Sequence, residues 1–101
     1  MTWTVKIKQT RPNTDVNWYA PTPSDVSGVI DSERRSSNKL VSVDTTFSDD
    51  GLERISIAVW KDEVTNAAHW GDSRVETFVS ARNTYNAANG ISLEVLQNEE
   101  S

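Results

Sequence analysis

The chain has no cysteine, a single histidine and only four glycines among its 101 residues. The absence of cysteine excludes disulfides, thiolate nucleophiles and thiolate-ligated metal or iron–sulfur sites. So few glycines leave no glycine-rich loop that would cradle a phosphate, and no serine stands in a nucleophile-elbow motif. Nucleotide hydrolysis and acyl transfer by these routes are therefore not expected.

Positive charge and long apolar runs are also scarce. Lys and Arg number 10 against 15 Asp and Glu, which gives a formal net charge of −5. Nucleic-acid backbones are bound chiefly by clustered Lys and Arg, so nucleic acid is not an expected partner. No stretch approaches the length of a membrane span, and the alternating N-terminus does not match a signal peptide. We therefore expect no membrane contact and a cytoplasmic location.

The chain does contain enough apolar residues for one core. Hydrophobic residues make up 36% of the sequence and include four tryptophans. A chain of this length is too short for two ordinary domains. We expect a single domain over residues 1–101 that folds without cross-links.

Four segments are predicted to be strands, three because apolar and polar residues alternate and the third in chain order because it is rich in β-branched residues. They span Trp3–Gln9, Lys39–Phe47, Arg54–Trp60 and Ile91–Val95. The sequence Ser48-Asp49-Asp50-Gly51 predicts a hairpin turn, which makes the second and third strands antiparallel neighbours. The polar residues 97–101 predict a frayed tail.

Two stretches between the strands have helical spacing. The first is predicted to start at Thr22 as N-cap, with Pro23 at the first helical position, and to end near Ser36-Ser37-Asn38. The second is predicted to start at Asp62 and to close through a left-handed cap at Asn89-Gly90.

Within the second stretch, Gly71-Asp72-Ser73 interrupts the pattern. Glycine is unfavourable inside a helix, and aspartate caps helix starts. We expect either a kink or a division into two helices at this point.

The resulting order is β-α-β-β-α-β, which predicts an α+β, ferredoxin-like fold: an antiparallel four-stranded sheet with both helices on one face. The third strand carries Ile55, Ile57 and Val59 on one side and Ala58 and Trp60 on the other. An uncovered apolar sheet face tends to bury itself against a second copy. We therefore expect a homodimer with the sheets face to face, a dimeric α+β barrel; the alternative is a monomer with one apolar patch.

The segment Arg54–Asp62, followed by His69, resembles the antibiotic-biosynthesis-monooxygenase-like branch of the dimeric α+β barrel superfamily, over nearly the whole chain. In that branch a strand often ends in an aromatic residue, and a basic and an acidic residue open the next helix. A histidine two turns further on lies near an internal pocket. Trp60, Lys61, Asp62 and His69 occupy these four places.

The resemblance implies a paired ferredoxin-like domain with a pocket for a small ligand. The family includes oxygenases that use no cofactor, haem-degrading enzymes, aldehyde isomerases and members without a known activity, so the resemblance leaves the reaction open. Strand one of this chain offers Lys6 and Lys8 where an Asn is frequent. No haem or other cofactor is expected.

His69 is the candidate catalytic residue, because its imidazole is the only side chain that ordinarily titrates near neutrality. The alternative is a helix residue hydrogen-bonded to backbone or solvent. A single His without carboxylates at ligand spacing predicts no metal site. The aromatic residues expected near the pocket are the candidate ligand-binding residues, with a purely structural role in the core as the alternative. They are Trp60, Trp18, Trp70, Tyr85 and Phe78.

Two functions stay open from the sequence. In the first, a homodimer binds a small, mostly apolar organic ligand between sheet and helices, either as a binding protein or as a monooxygenase-like enzyme without a cofactor. In the second, the same space is filled by side chains and the chain is a non-catalytic assembly or regulatory module. The lack of a second catalytic group favours the second function, and the placement of Trp60 and His69 favours the first.

Overall fold

A computed structural model describes residues 1–19, 30 and 33–101 of the chain. The strands are β1 (Trp3–Thr10), β2 (Leu40–Phe47), β3 (Glu53–Trp60) and β4 (Ser92–Glu100). The long helices are α1 (Glu63–Trp70) and α2 (Ser73–Asn89), and residues 30 and 33–36 are also helical. The predicted helix start at Thr22 and Pro23 lies outside the described residues.

The four strands form one antiparallel sheet in the order β2-β3-β1-β4. β1 and β3 are the central strands, and β2 and β3 are the predicted hairpin neighbours. Gly51 has a φ of 74°, and Asp50 accepts hydrogen bonds from the Ser48 hydroxyl and the Leu52 amide across the turn. The predicted α+β, ferredoxin-like architecture is confirmed.

The register of β2 differs from the expected alternation. The sequence pattern places Val41 on one face with Val43, but a shift between Leu40 and Ser42 places Leu40 opposite Trp60. Leu40 is therefore buried in the core cluster, whereas Val41 is 56% exposed. A bulge of this kind adds one residue and reverses the side-chain alternation beyond it.

The prediction of a frayed C-terminal tail is wrong. β4 continues to Glu100, which pairs with Trp3, and the Ser101 amide donates to the Thr2 carbonyl. The polar side chains there misled the prediction, because an edge strand is held by backbone hydrogen bonds that polar residues make equally well.

The predicted break at Gly71 divides the long helical stretch into two helices. The carboxylate of Asp62 caps α1 by accepting the Thr65 amide, and that of Asp72 caps α2 by accepting the Arg74 amide. None of the helices in the described part of the chain combines the length and the hydropathy that a membrane-spanning helix needs.

Left-handed residues end the helical segments where the sequence indicates. Asn38 has a φ of 59°, and the next amide, that of Lys39, donates back to the Arg34 carbonyl. Gly90 has a φ of 70°, and the Ile91 amide donates to the Asn86 carbonyl in the same way. These caps satisfy helix-end carbonyls and send the chain directly into β2 and β4.

Candidate functional site

A cavity of about 440 Å³ lies between the sheet and the helical residues. Its floor is one face of the central strands, because residues that pair directly across an antiparallel ladder point to the same side. The floor residues are Val5, Ile7 and Gln9 of β1 and Arg54, Ser56, Ala58 and Trp60 of β3. Its other walls come from β2, the segment before it and the two long helices.

Aromatic side chains form one end of the cavity. Trp60 ends β3, is 3% exposed and stacks on His69 with ring centroids 4.5 Å apart. The rings of His69 and Trp70 are nearly perpendicular, with centroids 4.9 Å apart, and the Trp70 indole donates to the Asn66 amide oxygen at 2.8 Å. The imidazole is thus oriented by two indoles, and all three rings line the cavity.

Phe78 of α2 also lines the cavity, and its ring lies 5.7 Å from that of Tyr19, another lining residue. Tyr85 and Trp18 are not among the lining residues. The Tyr85 hydroxyl donates to the Asn17 carbonyl at 2.7 Å, and its ring packs on Tyr19. The structure therefore brings His69, Trp60, Trp70 and Phe78 together, and places Tyr85 behind Tyr19.

Trp18 lies in a different environment from the aromatic residues of the cavity. The guanidinium of Arg11 lies over its ring at 4.9 Å, a cation–π geometry. Arg11 also donates to the carbonyls of Gly51 and Val16. Trp18 therefore belongs to the packing between the loop after β1 and the β2-β3 turn.

Three arginines line the cavity and were not among the predicted site residues: Arg34, Arg54 and Arg82. The sequence held a signal for two of them. Arg54 alternates onto the same face of β3 as Trp60, and Arg82 follows Phe78 by one helical turn on the apolar face of α2. A charged residue on an otherwise apolar face is the informative exception.

The three arginines differ in their partners. Arg34 forms an ion pair with Asp72 at 2.9 Å and a longer one with Glu33 at 3.7 Å. Neither Arg54 nor Arg82 forms an ion pair within residues 1–19, 30 and 33–101. Their Nε atoms are buried without a hydrogen-bond partner there, and burial lowers the pKa of both guanidinium groups.

A buried hydrogen bond joins the sheet to α2 beside these arginines. The Asn86 amide nitrogen donates to the Gln9 side-chain oxygen at 3.0 Å, and both residues are buried. Gln9 is paired with Arg54 across β1 and β3, and Asn86 follows Arg82 by one turn of α2. The cavity therefore has a polar end near the start of β3 and an aromatic end where β3 finishes.

A charge cluster fixes the start of α2 to the helical residues 33–36. Arg74 donates to both oxygens of Glu33 and to Asp72, which also accepts from Arg34. Hydrogen bonds from the Arg74 side chain and amide hold the pKa of the Asp72 carboxyl far below its ordinary value. The Arg74 side chain likewise lowers the pKa of Glu33. No cluster of three or more His, Asp or Glu side chains that could hold a metal ion occurs in the described part of the chain.

No protein-family model matches the sequence, and no curated protein is significantly similar to it. Solved structures do share its fold. A protein of unknown function from Bacteroides thetaiotaomicron, described as a possible oxidoreductase, has a TM-score of 0.60 at 11% identity, covering 95% of this chain and 96% of that chain. A dimeric ferredoxin-like protein from an uncultured marine organism has a TM-score of 0.54 at 11% identity, with 94% of both chains covered.

A monooxygenase from Streptomyces coelicolor, solved with the ligand Nanaomycin D, has a TM-score of 0.51 at 13% identity, covering 99% of this chain and 90% of that chain. At these identities the likeness shows the fold alone. The resemblance inferred from the sequence is confirmed at that level, because a monooxygenase and a dimeric ferredoxin-like protein both share the fold.

The Asp72 cluster predicts a specific dependence of stability on pH. The pKa of Asp72 in the folded protein lies below its ordinary value of 3.8. The carboxylate therefore contributes fully to the free energy of unfolding above pH 3.8, and this contribution is lost as the pH falls further. Asp72→Asn keeps an oxygen that caps α2 but does not titrate. We expect wild type to have a larger free energy of unfolding than the variant near pH 6, and this difference to become smaller towards about pH 2.5. Urea unfolding at several pH values measures this difference, and a difference that is constant with pH would contradict the assignment.

Proposed function

We propose that this protein binds a small, mostly apolar organic molecule in the cavity between sheet and helices. The observation that carries the proposal is the cavity itself. Its volume of about 440 Å³ falls within the range of about 300–1,000 Å³ that is usual for small-molecule sites. A lining of apolar and aromatic side chains with a few polar groups, as here, is also usual for such sites. The open space favours this function over an assembly module whose core is filled by its own side chains.

A cavity-filling substitution tests ligand binding. Ala58 lies on the cavity floor between Val5 and Val43, so Ala58→Trp places an indole in the space that a ligand would occupy. We expect the affinity for 1-naphthol, measured by calorimetry without oxygen, to fall about tenfold or more, which corresponds to ~1.4 kcal/mol. The matched control is Ala88→Trp at an exposed position of α2, which should bind as wild type does. If wild type, Ala58→Trp and Ala88→Trp bind 1-naphthol with equal affinity, the ligand does not bind in this cavity.

We further propose that the bound molecule is a phenol and that the reaction is its oxygenation without a cofactor. His69 supports this role, because it lines the cavity and is oriented by Trp60 and Trp70. It accepts the phenol proton, and the electron-rich ring then reacts with molecular oxygen. One oxygen atom enters the ring to give a quinone, and the other leaves as water with the two hydrogens that the phenol loses. The phenol supplies all four electrons, so no external reductant is required.

Oxygen uptake with 1-naphthol tests this reaction. We expect wild type to consume one O₂ for each 1,4-naphthoquinone formed, and His69→Gln to be about 100-fold slower or worse, as is usual when a general base is lost. The variant should still bind 1-naphthol without oxygen, which separates loss of chemistry from loss of the cavity. Unchanged turnover in the variant would make His69 a structural residue, and no turnover in wild type would leave binding as the function.

We also propose that two copies pair through the sheet face opposite the cavity. Because side chains alternate along β3, Ile55, Ile57 and Val59 project from that face, and all three are half-buried in the single chain. Lys8 of the same face is neutralised by Glu53 and Glu94. Lys6, opposite Ile57, also belongs to this face. An apolar strip in the middle of an open sheet is the kind of surface that a second copy covers.

A charge placed in this strip tests the pairing. We expect Ile57→Asp to convert a dimer into a monomer in light scattering coupled to size exclusion, because pairing would bury two like charges. Val64→Asp is the matched control, since Val64 is 78% exposed and lies on α1 rather than in the sheet. Circular dichroism verifies that both variants fold. A monomeric wild type, or an Ile57→Asp dimer, would contradict the pairing.

A further inference from the structure

The polar end of the cavity carries positive charge that the described residues do not balance. Arg54 and Arg82 both line the cavity, and neither forms an ion pair in the part of the chain that the structure describes. Their Nε atoms are buried without a hydrogen-bond acceptor there. The terminal nitrogen Nη2 of Arg82 donates to the neutral side-chain oxygen of Asn83 at 3.4 Å, which does not balance the charge. Arginine keeps its charge in proteins, so a half-buried guanidinium without an anionic partner costs stability. Two such guanidiniums beside one cavity are a candidate binding site for an anionic group.

Arg34 provides the internal comparison. It lines the same cavity, but Asp72 and Glu33 neutralise it. The chain has 15 acidic residues and a net charge of −5, so acidic partners are plentiful overall. Among the described residues, however, no acidic side chain forms an ion pair with Arg54 or Arg82.

The buried hydrogen bond between Gln9 and Asn86 joins the sheet to α2 at the polar end of the cavity. The two arginines lie on different walls of this end, Arg54 on the sheet and Arg82 on α2. Gln9 pairs with Arg54 in the sheet, and Asn86 lies one turn after Arg82 on α2. A carboxylate accepts hydrogen bonds from guanidinium groups through both of its oxygens, so a carboxylate at this end of the cavity has two candidate donors, Arg54 and Arg82. The rest of the cavity, from Ala58 to Trp60 and Phe78, offers apolar and aromatic surface to the remainder of a ligand.

We infer that the ligand of this cavity is an organic anion: the proposed phenol also carries a carboxylate, which binds between Arg54 and Arg82, while its apolar or aromatic body is directed towards Trp60. The inference rests on the proposed binding function and adds to it the class of ligand and its orientation. The two arginines are specificity-determining residues: they select a charged end that an apolar cavity alone would reject because of the desolvation cost.

Two probes of equal shape test the inference, biphenyl-4-carboxylate and its neutral amide, biphenyl-4-carboxamide. We expect wild type at pH 7 to bind the carboxylate at least about tenfold more tightly than the amide, given the strength of charge-assisted hydrogen bonds. Arg54→Gln and Arg82→Gln should each reduce this preference about tenfold while leaving amide affinity within about twofold. Retained amide binding also shows that each variant is folded. Calorimetry gives all the affinities.

Lys39→Gln is the matched control, because it removes one positive charge from an exposed residue that does not line the cavity. It should keep the wild-type preference. If wild type binds both probes equally, or if the arginine variants keep the preference, the anion inference is overturned while the cavity remains a ligand site. If wild type binds neither probe and 1-naphthol also fails to bind, the proposed function falls and the inference falls with it.

Discussion

The pairing of β1 with β3 determines which side chains can take part in any chemistry. Trp3 lies opposite Trp60 and Gln9 opposite Arg54, so the register assigns alternate residues of both strands to the cavity floor. Side chains alternate strictly along a strand, and a slip of one residue would send the floor residues to the opposite face. The aromatic end, the polar end and the apolar strip on the reverse face all follow from this one register.

Helix α2 closes the cavity because it is anchored at both ends. At its start, Asp72 and Arg74 bind the helical residues 33–36, and near its end Asn86 donates to Gln9 of the sheet. Between these anchors, Val75, Phe78 and Arg82 face the sheet across open space. Anchors at the two ends allow a gap in the middle that a uniformly packed helix would close.

The sequence was informative about the fold for identifiable reasons. Period changes and turn chemistry predicted the strands, the Ser48–Gly51 hairpin and an interruption of the helix at Gly71, because these depend on local preferences. The β2 bulge and the extension of β4 to Glu100 depend on pairing with neighbouring strands, which no local pattern encodes. The same distinction between local and long-range information holds for the site. Trp60 and His69 stand at a recognisable strand end and in the helix that follows, whereas the position of Arg82 beside the cavity follows only from the packing of α2 over the sheet.

The central claim is that the space between sheet and helices receives a ligand with an anionic end. A crystal structure of the protein grown with biphenyl-4-carboxylate tests it most directly. The predicted result is a ligand whose rings lie along Ala58 and Phe78 and whose carboxylate oxygens lie within about 3 Å of guanidinium nitrogens of Arg54 and Arg82. A cavity closed by its own side chains, or a ligand whose carboxylate points away from both arginines, would contradict it.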